Sequence, residues 1–266
     1  FGAVALLVVG YLLADRSTYR WLAWQRAGLI AAFMTILLAA MIGGSRAGLL
    51  TTIIALLASA AMFWLGFVRT ERDRAHLPRF FGVEMSPQIM FAAIFMLVGS
   101  IIAAFVAFDR IPALQNLTDS GSFDDLRWRL LPSLQEMIGT YWFLGSGVGS
   151  FEEVYHIFEP VELLTPVYVN QAHNDWAQLL IEGGVLAVML VAGFALWFAR
   201  KLFAIGGGSR QALASQLLWI TVAGIILFAS LVDYPLRTPL FQCVTIILIA
   251  ALCREHTSHR GERNGG

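Results

Sequence analysis

Six apolar stretches, at roughly 27–43, 47–68, 87–108, 174–199, 211–232 and 239–253, alternate with short charged loops along the 266 residues of this chain. Hydrocarbon offers a peptide group no hydrogen-bond partner, so an apolar run of about 20 residues that meets lipid must satisfy its backbone as a helix. The expected fold is therefore all-α: a polytopic transmembrane helix bundle with about six full spans plus a partial first one. A hydrophobic fraction of 58% and a mean hydropathy of +0.70 agree with the bilayer as solvent. The first stretch, 1–14, is apolar but short, and it starts at Phe1 without a cationic flank. It does not read as a signal peptide, and it is expected to be the tail of a helix with more chain upstream.

Charge is sorted by loop. The segments 15–26, 69–86 and 200–210 and the C-terminal tail hold thirteen of the eighteen Lys and Arg residues. The positive-inside rule puts those loops in the cytoplasm and residues 109–172 outside, as a large periplasmic loop within one integral-membrane domain covering 1–266. The orientation survives when that long loop is left out of the count. A formal net charge of zero gives no basic surface for nucleic acid. Cys243 and Cys253 lie about 15 Å apart along one helix axis, too far for a disulfide, and no Cys/His spacing suggests a metal.

The outer loop opens polar, and Ser122 with Asp125 resembles a capping box. A short amphipathic helix should follow, with Leu126, Leu130, Leu134 and Met137 near one side and Pro132 bending or restarting it. Residues 145–151, Gly-Ser-Gly-Val-Gly-Ser-Phe, form a turn too rich in glycine for a helix interior. Trp128, Trp142 and neighbouring aromatics point to a lid at the membrane interface rather than disorder.

Five cations face outward on this topology: Arg46, Arg110, Arg127, Arg129 and Arg237. Arg46 lies in the hairpin Gly43-Gly-Ser-Arg-Ala-Gly48, and two readings stand side by side, a snorkelling anchor or an anion ligand. Arg237, in Asp233-Tyr-Pro-Leu-Arg-Thr-Pro239, either pairs with Asp233 or meets a ligand. Arg127 and Arg129 are two residues apart and point to different sides of a helix, so one of them faces a site. Guanidinium groups from separate segments suit a diphosphate, because the planar fork grips phosphate oxygens bidentately. His173, at the start of the helix that follows 170–173, reads as a general base or as a structural cap. Glu182 lies about 13 Å deeper along that helix, where an acid needs a partner or a wet cavity. Nine residues separate the two, so they do not share a helix face. Gly-x-Gly-x-Gly at 145–149 follows no strand, no Asp-x-Asp marks a metal-dependent transferase, and no nucleophile elbow surrounds Ser45, Ser146 or Ser150.

Taken in order, the Ser45-Arg46 hairpin, the Arg127-Trp128 helix, the Leu144–Phe151 turn, His173-Asn174 leading to Glu182-Gly183-Gly184, and Asp233–Arg237 resemble the O-antigen ligase and O-antigen polymerase superfamily of bacterial membrane glycosyltransferases. The resemblance spans about 45–237. It implies transfer of a glycan from an undecaprenyl-diphosphate carrier to lipid A–core or another glycan acceptor, at the periplasmic face of the bacterial inner membrane. It also implies that Arg46, Arg127, Arg237 and Arg129 hold the diphosphate, that His173 activates the acceptor hydroxyl, and that Asn174 and Glu182 support the site. No cofactor or metal is implied. A repeat-unit polymerase of the same family shares this donor chemistry. A transporter is the reading from a different class, and it predicts broken helices near mid-membrane and one polar path, whereas the charges here gather outside the apolar runs.

Overall fold

The computed structural model describes residues 1–14, 23–42, 45–67, 79–80, 83–84, 99, 126–163, 169–205 and 209–264. Eight α-helices run through them: α1 (Gly2–Ala14), α2 (Ala23–Ile42), α3 (Arg46–Phe67), α4 (Leu126–Tyr141), α5 (Phe151–Phe158), α6 (Asp175–Ile205), α7 (Arg210–Val232) and α8 (Pro239–Asn264). The only strands among the described residues are β1 (Arg79–Phe80) and β2 (Val83–Glu84), a two-residue antiparallel pairing with Arg79 opposite Glu84. The chain is thus an all-helical polytopic protein, as its hydropathy requires.

Among the described residues, four helices are long and apolar enough to cross a membrane: Trp24–Ile42, Arg46–Leu65, Asp175–Ile205 and Arg210–Val232. That is fewer than the six expected, for two different reasons. Residues 87–108, apart from position 99, lie outside the described residues. The apolar stretch 239–253 is helical, but it is only the first part of α8, and the rest of that helix is polar. Its short apolar length does not make a span by itself.

The chain divides into two compact units, one comprising 1–119 and 207–222, the other 120–206 and 223–266. In the first, α1 packs against α2 and α3. Ala3, Val4, Leu6, Leu7, Gly10 and Ala14 form its buried side. α1 and α3 approach closely at Gly10, where a Cβ would come within 2.7 Å of the Ser59 Cβ. Tyr11 Oη lies 2.7 Å from Ser215 Oγ and accepts from Gln211 Nε2 at 3.3 Å, tying α1 to the start of α7.

In the second unit, α4, α5 and the turn before α6 close a small apolar core. Leu130, Leu134 and Met137 on α4 meet Phe151 and Tyr155 on α5, with Leu163, Val169, Ala172 and Ile181 completing it. These α4 positions are the apolar face expected from the sequence, each worth about 1.5–3 kcal/mol when fully buried. Pro132 sits inside α4, which runs through it without restarting. Burial, and then the Glu159 carboxylate, push the Tyr155 phenol above its ordinary pKa, so it stays neutral. The capping box at Ser122–Asp125 lies outside the described residues.

Candidate functional site

The site of the second unit is assembled where α6 begins and where it breaks. Asn174 caps the helix: its Oδ1 accepts from the N–H groups of Trp176 (3.1 Å) and Ala177 (3.0 Å), two of the donors that every helix start leaves open. His173 stands just before the cap, outside the helix. Its φ of +49° is the single left-handed value among the described non-glycine residues. A residue other than Gly, Asn or Asp pays steric energy to hold that conformation, and such strain gathers at functional sites.

The left-handed turn aims the imidazole at the 233–237 segment. His173 Nδ1 lies 3.4 Å from Asp233 Oδ1, a long contact, with both side chains partly open to solvent. The Tyr234 ring meets the imidazole edge-on at 4.9 Å between centroids. The same Asp233 oxygen accepts from the Tyr234 N–H at 3.0 Å, and the Asp233 carbonyl accepts from the Asp175 N–H at 3.3 Å. Asp233 therefore ties the end of α7 to the start of α6. Trp176 Nε1 adds a second tie by donating to the Leu227 carbonyl at 3.2 Å.

Beneath this exposed pair is a buried charged network. Asp175, Gln178 and Glu182 occur at helical spacing on one face of α6, and all three are buried. Gln178 accepts from the Ala172 N–H at 3.0 Å and donates from Nε2 to Glu182 Oε1 at 3.0 Å. Arg237, in a 3₁₀ turn over Pro235–Arg237, brings a guanidinium to both acids: Nη1 is 3.1 Å from Glu182 Oε2, and Nε is 3.6 Å from Asp175 Oδ1. The other Asp175 oxygen accepts from the Leu236 N–H at 3.0 Å. The sequence offered Asp233 as the partner of Arg237. The observed partners are Asp175 and Glu182, because Asp233 faces His173.

Immediately below Glu182, α6 breaks. Gly184 has φ +53° and ψ −147°, outside the helical region. The glycine-rich loop after α4 fills the break. Ser146 N–H donates to the Ile181 carbonyl (2.9 Å) and Gly147 N–H to the Glu182 carbonyl (3.0 Å), while Val185 N–H donates to the Phe143 carbonyl (3.1 Å). In an unbroken helix the Ile181 carbonyl would take the Val185 N–H. Here the two have exchanged each other for loop partners. A Cβ on Gly145 would collide with the Glu182 carbonyl oxygen, and one on Gly184 would lie 2.5 Å from the Phe143 oxygen. The glycines of these two motifs are thus required by a single backbone joint.

The remaining candidates are placed as follows. Arg129, at the exposed start of α4, donates from Nη2 to the Glu162 carbonyl at 3.1 Å. Arg127 lies on α4, and its side chain is outside the described residues. Arg46, in the first unit, is the first residue of α3, behind Ser45, whose Oγ accepts from the Gly48 N–H at 3.1 Å as an N-cap. A cation there opposes the positive end of the helix dipole, so helix stability does not account for it.

Sequence reasoning missed Asp175 and Gln178. A polar stripe at 175, 178 and 182 on an otherwise apolar helix was the available signal. The order of motifs, by contrast, has a direct counterpart among known proteins. No curated protein matches the chain. A sequence model described as O-antigen ligase matches residues 30–192, which takes in the Arg46 helix start, α4, the glycine-rich loop, His173 and the break at Gly184. With a joint that needs glycine on both sides and a left-handed histidine at the mouth of the same helix, all inside that match, the chain belongs to the O-antigen ligase family, and so to the ligase and polymerase type of bacterial membrane glycosyltransferase.

Proposed function

We propose that this protein moves a glycan from an undecaprenyl-diphosphate donor to an acceptor hydroxyl on lipid A–core, at the periplasmic face of the inner membrane, within a single integral-membrane domain. The observation that carries this reading is His173: strained, partly exposed, and turned by its backbone toward the Asp233 carboxylate. With Nδ1 facing Asp233, Nε2 is left for the acceptor. It takes the hydroxyl proton as the acceptor oxygen bonds to the anomeric carbon and the bond from that carbon to the diphosphate oxygen breaks. Asp233 steadies the imidazolium that results. The departing diphosphate gains charge, which guanidinium groups stabilise.

Arg46, Arg127 and Arg129 are the proposed diphosphate ligands. Arg237 belongs to the same set, but Asp175 and Glu182 already offset its charge, so its larger share is to hold the mouth of α6 in shape. Asn174 and Glu182 support the site by fixing where α6 starts and where Arg237 lies.

The test is complementation of a strain lacking its ligase, with lipopolysaccharide read on a gel and His173→Ala run alongside. Long chains restored by the parent and lost in the variant, at equal membrane abundance, are the expected result. Rescue of a polymerase-deficient strain instead would reassign the acceptor to a growing glycan. Full transfer by His173→Ala would end the mechanism.

A further inference from the structure

The glycine-rich loop has an apolar tip that the charged network does not use. Its height along α6 is fixed by backbone bonds, Val185 N–H to the Phe143 carbonyl and Gly147 N–H to the Glu182 carbonyl. The tip is therefore level with Glu182–Val185, about 10–15 Å along the axis from the helix start. From Val185 to Ala199 the helix carries no charged side chain, and its outer side is open, with Leu186 63% and Leu190 68% exposed. On the loop, Phe143 is 61%, Leu144 86% and Val148 94% exposed. No charged residue occurs from Met137 to Phe151. Apolar surface of this extent is costly in water, at about 25 cal/mol per Å², and contiguous exposed patches mark interaction sites.

We propose that the Phe143–Val148 tip is a membrane-contact surface, lying in the interfacial layer of the bilayer against lipid headgroups and the first acyl carbons. It continues the lipid-facing belt that α6 begins at Leu186, and that continuity identifies the occupant as bilayer lipid. This rests on the reading of α6 as a membrane span. The loop then sets the depth of the break, and keeps the polar stripe of Asp175, Gln178 and Glu182 on the headgroup side of it, where the polar end of a lipid-linked substrate travels.

Spin labels test the depth directly. Cys243 and Cys253 are replaced by Ala, and single cysteines are introduced at Val148, at Leu144, at Leu190 as the lipid reference and at Glu152 as the water reference. The protein is reconstituted in phosphatidylethanolamine/phosphatidylglycerol bilayers, and collision of each label with oxygen is compared with collision with a nickel chelate. The Val148 and Leu144 labels should show an oxygen-to-nickel ratio several-fold above Glu152 and below Leu190. Labels at 148 and 144 as open to nickel as Glu152, with Leu190 still protected, would overturn the proposal alone. A nickel-accessible Leu190 would remove α6 as a span, and the proposal with it.

Discussion

Two charged groups meet at the start of α6, and they are built in opposite ways. His173 and Asp233 are 3.4 Å apart with 27% and 52% of their side chains exposed, on a strained backbone. Arg237 and Glu182 are 3.1 Å apart, with Glu182 only 4% exposed and Gln178 supplying a further bond. The first pair is open, long and weakly held, so little of the fold depends on it. In the second the acid is buried while the guanidinium is 24% exposed, and the members hold one another because an unpaired carboxylate at that depth would be expensive. Chemistry that must meet a substrate belongs to the open pair, and geometry that must not move belongs to the closed one.

That contrast is sharpest in the variants that should separate activity from stability. His173→Ala should lose about 10²–10⁴-fold of transfer while leaving the thermal midpoint of the detergent-solubilised protein where it was. A large drop in that midpoint would place His173 in the structural class. Glu182→Ala should do the reverse first, destabilising by about 1–3 kcal/mol, because Gln178 and the Arg237 guanidinium both lose their Glu182 acceptor. The isosteric Glu182→Gln should cost less, and an unchanged midpoint in both would dissolve the distinction. Gly145→Ala tests the joint beneath the network. A side chain at φ +78° against the Glu182 carbonyl should cost about 1–3 kcal/mol, read as earlier melting. Asp233→Asn should lower transfer about tenfold, roughly 1.4 kcal/mol of barrier, with melting little changed. Arg129→Ala removes one exposed hydrogen bond to the Glu162 carbonyl and should shift stability by about 1 kcal/mol at most.

Much of this was legible because membranes impose simple rules. Apolar length located α3 and α7 closely, started α2 at 27 rather than Ala23 and ended α6 at 199 rather than Ile205, and 3.6-residue periodicity gave the buried side of α4 with Leu130, Leu134 and Met137. His173 and Arg237 were visible as polar residues where apolar segments meet turns. What stayed hidden was pairing across distance. Asp233 and Arg237 are four residues apart and one reading paired them, yet a 3₁₀ turn sends them to different partners, Asp233 to His173 and Arg237 to Asp175 and Glu182. The glycine at 145 read as part of a local turn, and the one at 184 only as the end of a short motif after Glu182. Only the fold shows that one backbone joint requires both, since hydrogen bonds between segments leave no periodic trace in either.

The exchange of partners at that joint also carries an order of synthesis. Ile181 presents a carbonyl, and Val185 an N–H, that would bond each other in an unbroken helix and here bond the loop instead, at the level where the helix turns wholly apolar. In hydrocarbon such orphan groups cost several kcal/mol each. Residues 143–147 precede α6 in the chain, so the segment that supplies these partners is synthesised before the helix that needs them. A broken span of this kind is complete only together with its loop, which supplies the hydrogen-bond partners that the helix itself has given up.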